Sequence, residues 1–464
     1  MSESNLEYEF EFDVRLPKDL EIGTATSSWQ IEGSVDSRGS SIWDDFAKVP
    51  GAIKGGITGE PAVDHINRVE EDLDLLKWLG VDAYRFSVSW PRVIPGGTGE
   101  VSQEGLGFYD KLVDGLLARG IKPAVTIYHW DLPSTLQAAG GWPVRETAER
   151  YADYVEVLAN KLGDRVDRWA THNEPWVAAY LGHAAGWHAP GIKDDAKALA
   201  AAYHLMYSHG LGVERLRAAG AKNVGIALNL IPTFADTPSA EAAAHHIHLL
   251  QNQFWLDLLA GKGVNAELMA ATSHITDWSF VNEADLPLIA APIDWIGENY
   301  YSVTRTTDVN LGGEGGNGQD THAFPGIPDT AFAPRPPVTN MGWEIYPAGL
   351  TYVLEMIAQN LPGVPIWVTE NGASVTDVVD GNKVIDPVRT HYIRAHIAAL
   401  LDARKAGVDV RGYYAWSLMD NIEWAEGIDQ RFGIVRVDPV TLERIPKNSA
   451  LWLREAIQER NQRA

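Results

Sequence analysis

Apolar and polar positions follow two periods along this chain. Short, largely β-branched apolar runs lie near Ile22–Thr26, Ala83–Ser89, Lys122–Tyr128, Val166–Thr171, Val224–Leu230, Trp295–Tyr300, Ile366–Thr369 and Gly412–Trp416. Between them lie stretches with helical spacing: His65–Leu79, Glu104–Arg119, Thr147–Leu162, Asp194–Ala218, Ala240–Ala260, Pro347–Gln359 and Arg389–Lys405. Runs of the first kind read as buried strands, and stretches of the second as amphipathic helices. Their alternation predicts βαβ units and a parallel sheet. Eight strand candidates predict an α/β fold, a single (β/α)8 TIM barrel with extended βα-loops that takes in residues 1–464. The alternative is a doubly wound open sheet. That fold usually carries a Gly-rich phosphate loop after its first strand, and Gly23-Thr24-Ala25-Thr26-Ser27 does not have that form.

Polar residues gather where the apolar runs end. Gln30 follows the first run, Arg85 lies within the second, and His129 and Trp130 follow the third. Asn173 and Glu174 follow the fourth, Asn299 and Tyr301 the sixth, Glu370 the seventh, and Trp416, Glu423 and Trp424 the eighth. Strand ends that each give one polar group to the same face build a barrel active site. Two of these groups stand in short motifs: Glu174 in Thr171-His172-Asn173-Glu174-Pro175, and Glu370 in Val368-Thr369-Glu370-Asn371-Gly372. A helix-cap acid and a turn residue are the plain readings of the two glutamates. A pair of carboxyl groups brought together from different strands is what glycosidic bond cleavage requires. An arginine inside a barrel needs an anionic partner, so Arg85 pairs either with these carboxylates or with a structural acid. His245, His246 and His248 lie in a helical pattern with no matching acids, and a metal site is not read there.

Composition narrows the picture. The formal charge of −24 argues against nucleic acid and anionic membrane as partners, and weighs mildly against a phosphorylated substrate. With no cysteine there is no disulfide and no thiol chemistry. No apolar run approaches the roughly 20 residues of a membrane span. Met1 to Asp13 is acidic without an apolar core, so no signal peptide is read and a cytoplasmic protein is expected. Gly312 to Gln319 reads as a loop within the domain. The 17 tryptophans are more pointed, because many adjoin polar residues. An aromatic face flanked by hydrogen-bonding groups matches a sugar ring, which has an apolar face and a hydroxyl rim.

With these motifs in order, the chain resembles the family 1 glycoside hydrolases, the β-glucosidase/β-galactosidase group, along almost its whole length. The resemblance is carried by Gly23 to Gly33, by Tyr84 to Arg92, by Tyr128-His129-Trp130-Asp131-Leu132-Pro133, and by Met341 to Pro347. Trp416 to Trp424 and Arg431-Phe432-Gly433 complete it. It implies a retaining β-glycosidase that takes terminal β-D-glucosyl residues, and possible galactosyl or fucosyl ones, from β-glucosides and cello-oligosaccharides. Glu174 would be the general acid/base and Glu370 the nucleophile. Gln30, His129, Asn173 and Glu423 would hold hydroxyls of the non-reducing sugar, with Asn173 on the 2-OH. Trp416 would be its stacking platform and Trp424 a rim contact. Tyr301 and Arg85 would steady the nucleophile, with Asn299 nearby and Trp343 at the entrance. The chemistry requires no cofactor and no metal, and a homo-oligomer stays open. The alternatives are a transglycosylase, a 6-phospho-β-glycosidase, or a sugar-binding barrel without activity. The intact Glu423-Trp424 pair weighs against the phosphorylated substrate. Departures from the family pattern are Leu20-Glu21-Ile22, Trp29 in place of Tyr or Phe, and Ile422 in place of Phe.

Overall fold

The computed structural model describes residues 14–311 and 321–463. The acidic N-terminal segment and the Gly-rich stretch read above as a loop lie outside the described residues. Eight parallel strands close into a barrel: β1 (Glu21–Ala25), β2 (Ala83–Ser87), β3 (Lys122–Tyr128), β4 (Arg168–Asn173), β5 (Val224–Leu228), β6 (Trp295–Asn299), β7 (Ile366–Asn371) and β8 (Val410–Trp416). β8 pairs with β1 from Glu21–Gly412 to Ala25–Trp416, which completes the ring. The open-sheet alternative is therefore excluded.

Helices return the chain from each strand top to the next strand base. They are α1 (His65–Leu79), α2 (Gln103–Ala118), α3 (Arg145–Leu162), α4 (Asp195–Ala218), α5 (Glu241–His248), α6 (Phe254–Leu259), α7 (Pro347–Asn360), α8 (Pro387–Lys405) and α9 (Asn448–Gln462). The single helical stretch expected over 240–260 is divided by a π turn at Leu249–Gln253. That wider turn lets Gln251 donate to the Asn229 carbonyl and Asn252 accept from the Ile231 amide. It thus braces the loop above β5. Strand ends also shift by one or two residues: β4 starts and ends two residues later than its apolar run, and β7 extends to Asn371.

The barrel floor is filled from one side. Ala83, Ala124 and Ala170 face Trp295, Trp367 and Tyr414, which form a buried cluster of their own. Glycine makes the aromatic side fit: a Cβ on Gly412 would lie 2.1 Å from Trp367 Cδ1. Arg168 lies 4.0 Å from the Trp367 ring centroid and pairs with Glu21 at 2.7 Å. The unusual Glu21 in β1 thus serves the floor, far from the strand tops.

Candidate active site

The strand tops open into one cavity of about 700 Å³. Glu174 follows β4 directly, and Glu370 is the next-to-last residue of β7. Glu174 has φ of 43°, a left-handed value that is costly outside glycine. Its amide donates to Ala227 O at 2.9 Å, which pins it to the neighbouring strand. Trp130 and Trp424 also have positive φ, at 76° and 48°, and both line the cavity. Three residues of the cavity wall thus hold a backbone conformation that is costly outside glycine.

The two carboxyl groups have different partners. Arg85 Nη1 donates to Glu370 Oε1 at 2.5 Å, and Tyr301 Oη donates to Glu370 Oε2 at 2.7 Å. Asn299 Nδ2 donates to Glu174 Oε1 at 2.6 Å and shares itself with Asn173 Oδ1 at 2.9 Å. Thr369 Oγ1 fixes Asn299 by donating to its Oδ1 at 2.7 Å. Burial, and then the nearby Glu370 charge, hold the Glu174 carboxyl well above the usual range. Burial also raises Glu370, against the opposing pull of Arg85 and Tyr301. With an arginine on one carboxylate and an amide on the other, the shared proton belongs on Glu174.

Around this pair the other expected residues form a second ring. Asn173 Oδ1 also accepts from Arg85 Nη2 at 2.6 Å, and Asn173 Nδ2 donates to His129 Nε2 at 3.0 Å. Burial, then Arg85, keep His129 neutral, so its proton sits on Nδ1. That nitrogen has no protein partner, and neither has Glu423 Oε2, although both atoms are buried. Burial, then the charges of Glu370 and Glu426, push Glu423 up to about 8. Orphaned polar atoms on a cavity wall are poised for a ligand rich in hydroxyl groups. Trp130 Nε1 donates to the Asn173 carbonyl at 2.8 Å. The His129 ring stacks between Trp416 and Trp424, with centroids 5.9 and 5.7 Å away.

Trp343, Trp416 and Tyr301 all line the cavity. Gln30 Nε2 donates to Ile422 O at 2.7 Å and Asn421 Oδ1 at 3.0 Å, and its Oε1 accepts from Ser27 at 2.5 Å. Ile422 therefore meets this network through its backbone, which is why its side chain can vary. Trp29 stacks on Trp424 at 5.8 Å with planes 10° apart, and its Nε1 donates to Asp44 at 2.9 Å. The larger ring supports the cavity wall from behind. Arg85, open between two partners on sequence grounds, bonds the carboxylate at the site.

The outer cavity was not legible in the sequence. Phe46, Val49, Val177, Leu181, Trp187 and Ile231 line it, and each looks like ordinary core in a linear pattern. Val177 to Leu181 form a π turn just after Glu174, which turns both apolar residues toward the opening. Glu298 was also missed: it is fully buried in β6, and burial holds it well above the carboxylate range. Of the three histidines in the His245 region, His245 meets Glu267, His246 meets the Pro325 carbonyl, and His248 meets Asn252.

A barrel with two strand-top glutamates in unlike settings, ringed by tryptophans and unpaired polar atoms, defines a carbohydrate-cleaving site. The glycosyl hydrolase family 1 model matches residues 13–462, and the chain belongs to that family. A β-glucosidase from an Agrobacterium species is 43% identical over 95% of this chain and 94% of its own length. A bifunctional β-D-glucosidase/β-D-fucosidase from Bifidobacterium breve is 44% identical over 96% of this chain and 99% of its own. The crystal structure of a psychrophilic β-glucosidase from Micrococcus antarcticus superposes with a TM-score of 0.93 at 40% identity, covering 96% of this chain and 98% of that one.

Proposed function

We propose that the protein is a retaining β-glucosidase in which Glu370 is the nucleophile and Glu174 the general acid/base. The observation that carries this reading is the unequal treatment of the two buried carboxyls. Glu370 is held as an anion by Arg85 and Tyr301, while Glu174 keeps a proton beside Asn299. Glu370 attacks the anomeric carbon as the glycosidic C–O bond breaks, and the departing oxygen takes the Glu174 proton. The ester that forms has lost the Glu370 charge, so the pKa of Glu174 falls. Glu174 then takes a proton from water, whose oxygen displaces Glu370 with a second inversion. Net retention follows.

His129, Asn173 and Glu423 hold hydroxyl groups of the sugar, with Trp416 beneath its apolar face. Trp424 closes the rim and Trp343 the entrance. Gln30, whose amide is held by Asn421 and Ile422, holds a further hydroxyl of the same sugar. A 6-phosphorylated sugar is disfavoured, because the sugar end of the cavity presents Glu423 and not a cation. Lys54, the lysine on the cavity wall, is already paired with Glu426. The family match over 13–462 supports one catalytic domain. Among the described residues no helix is long and apolar enough to cross a membrane.

The test is a kcat/KM panel of nitrophenyl β-D-glucoside, β-D-galactoside, β-D-fucoside, the 6-phosphoglucoside and cellobiose. The reading predicts the glucoside or fucoside highest and the phosphorylated substrate lowest. A preference for the 6-phosphoglucoside would overturn it.

A further inference from the structure

A buried group of charges lies beside the cavity and takes no part in the chemistry above. Lys447, whose side chain is 0% exposed, places Nζ 2.7 Å from Asp377 and 2.8 Å from Asp420. Arg389, also fully buried, pairs with Asp377 at 2.8 Å and Asp386 at 2.6 Å. Asp420 further accepts from the Gly433 amide at 3.1 Å and from Arg431 at 3.2 Å. Asp386 accepts from the Ser449 amide and hydroxyl, at the start of α9.

The cluster joins segments far apart in sequence. Asp377 lies on the loop that leaves β7, a few residues past Glu370. Arg389 takes the Ala373 carbonyl from that same loop at 3.3 Å, and the Arg431 carbonyl from the segment after β8 at 2.6 Å. Asp420 lies on the loop above β8, and only Asn421 and Ile422 separate it from Glu423. Asn421 in turn holds Gln30. Ion pairs buried this way add little net stability over apolar packing of the same shape. What they fix is geometry. Burial draws the Lys447 ammonium below its ordinary range, against the attraction of Asp420 and Asp377.

We propose that Lys447 is a positioning residue for the glycosidase reaction: its ammonium, set between Asp377 and Asp420, fixes the sugar-binding loop of Glu423 against the loop that leaves the Glu370 strand. This rests on the assignment of Glu423 and Glu370 above. Glu370 is held directly by Arg85 and Tyr301 inside the barrel. Glu423 Oε2 has no protein partner, so the position of that carboxyl depends on its backbone. Loss of Lys447 therefore acts on sugar binding more than on bond cleavage.

The experiment measures kcat and KM for nitrophenyl β-glucoside in four proteins: wild type, Lys447→Met, Glu423→Gln, and the double variant. Lys447→Met raises KM by about tenfold or more while kcat stays within about threefold. In the Glu423→Gln background the same change raises KM by less than about threefold, because the two residues act on one contact. Equal factors in both backgrounds, or an unchanged KM, overturn the proposal. If Lys447→Met does not fold, Lys447→Met/Asp377→Asn removes one charge of each sign and is read in the same way. A wild type inert on the glucoside would contradict the assignment of the site itself, separately from any effect of Lys447.

Discussion

Two residues of the same type carry opposite duties here, and their neighbours decide which does what. Replacing Glu370 by Gly removes the nucleophile and should abolish cellobiose hydrolysis while the fold persists. Azide should then restore part of the turnover of a dinitrophenyl glucoside and give the inverted glycosyl azide, read by NMR. Replacing Glu370 by Gln removes the charge that helps hold Glu174 high. The sign is clear: without that anion the protonated form of Glu174 is less favoured, so its pKa falls, as a carboxyl-sensitive infrared titration would record. Replacing Glu174 by Gln should cost cellobiose far more than a dinitrophenyl glucoside, whose leaving group departs without a proton. The alkaline limb of its pH profile should flatten. Equal losses on both substrates would count against the acid/base role. Glu423→Ala removes a buried hydroxyl contact worth roughly 0.5–1.5 kcal/mol while the carboxyl is protonated, and about 1.5–3 kcal/mol above about pH 8 where it is charged, so the loss in kcat/KM should grow as pH rises. Glucoside and galactoside should both suffer, by different factors if the acid meets the 4-OH.

At the scale of elements, the strands were legible because burial on both faces leaves unbroken apolar runs. The strand ends were less so. Asn173, Glu370 and Asn371 are polar, yet they belong to β4 and β7: Asn173 and Glu370 both bond Arg85 inside the barrel, while Asn371, on the opposite face of β7 from Glu370, bonds the Tyr300 carbonyl and the Tyr392 and Tyr413 hydroxyls. The helix α9 leaves a weak apolar pattern because its buried face relies on small residues, Ala450 and Ala456, beside Leu453 and Ile457. The π turns at Val177–Leu181 and Leu249–Gln253 leave no mark on helical spacing. The floor makes its own prediction. Gly412→Ala places a methyl carbon against Trp367, and overpacking of this kind costs typically 1–3 kcal/mol. The variant should melt earlier by calorimetry with kcat/KM nearly unchanged, since the floor lies far from the carboxyls. Unchanged melting would show that the Trp367 ring can move aside.

For the molecule as a whole, the barrel and the inner ring of its site were legible, while the outer cavity was not. Glu174, Glu370, His129, Asn173, Asn299 and Arg85 are polar groups in otherwise apolar surroundings, and such breaks in pattern stand out. The outer wall is built from residues such as Val177, Leu181 and Ile231, whose exposure to a cavity depends on loops folding over from distant positions. The same holds for Lys447, just before α9, whose partners Asp377 and Asp420 lie on other segments. All of these features converge on one event, the bond between Glu370 and the anomeric carbon. That bond can be trapped with a 2-deoxy-2-fluoro-β-glucoside bearing a dinitrophenyl leaving group, because the fluorine slows both steps through their oxocarbenium-like transition states and the reactive leaving group restores only formation. Intact mass followed by peptide mapping reads the result. The account predicts one fluoroglucosyl group per chain, attached to Glu370. A chain that turns over glucosides yet carries no label, or carries it on another residue, would contradict it.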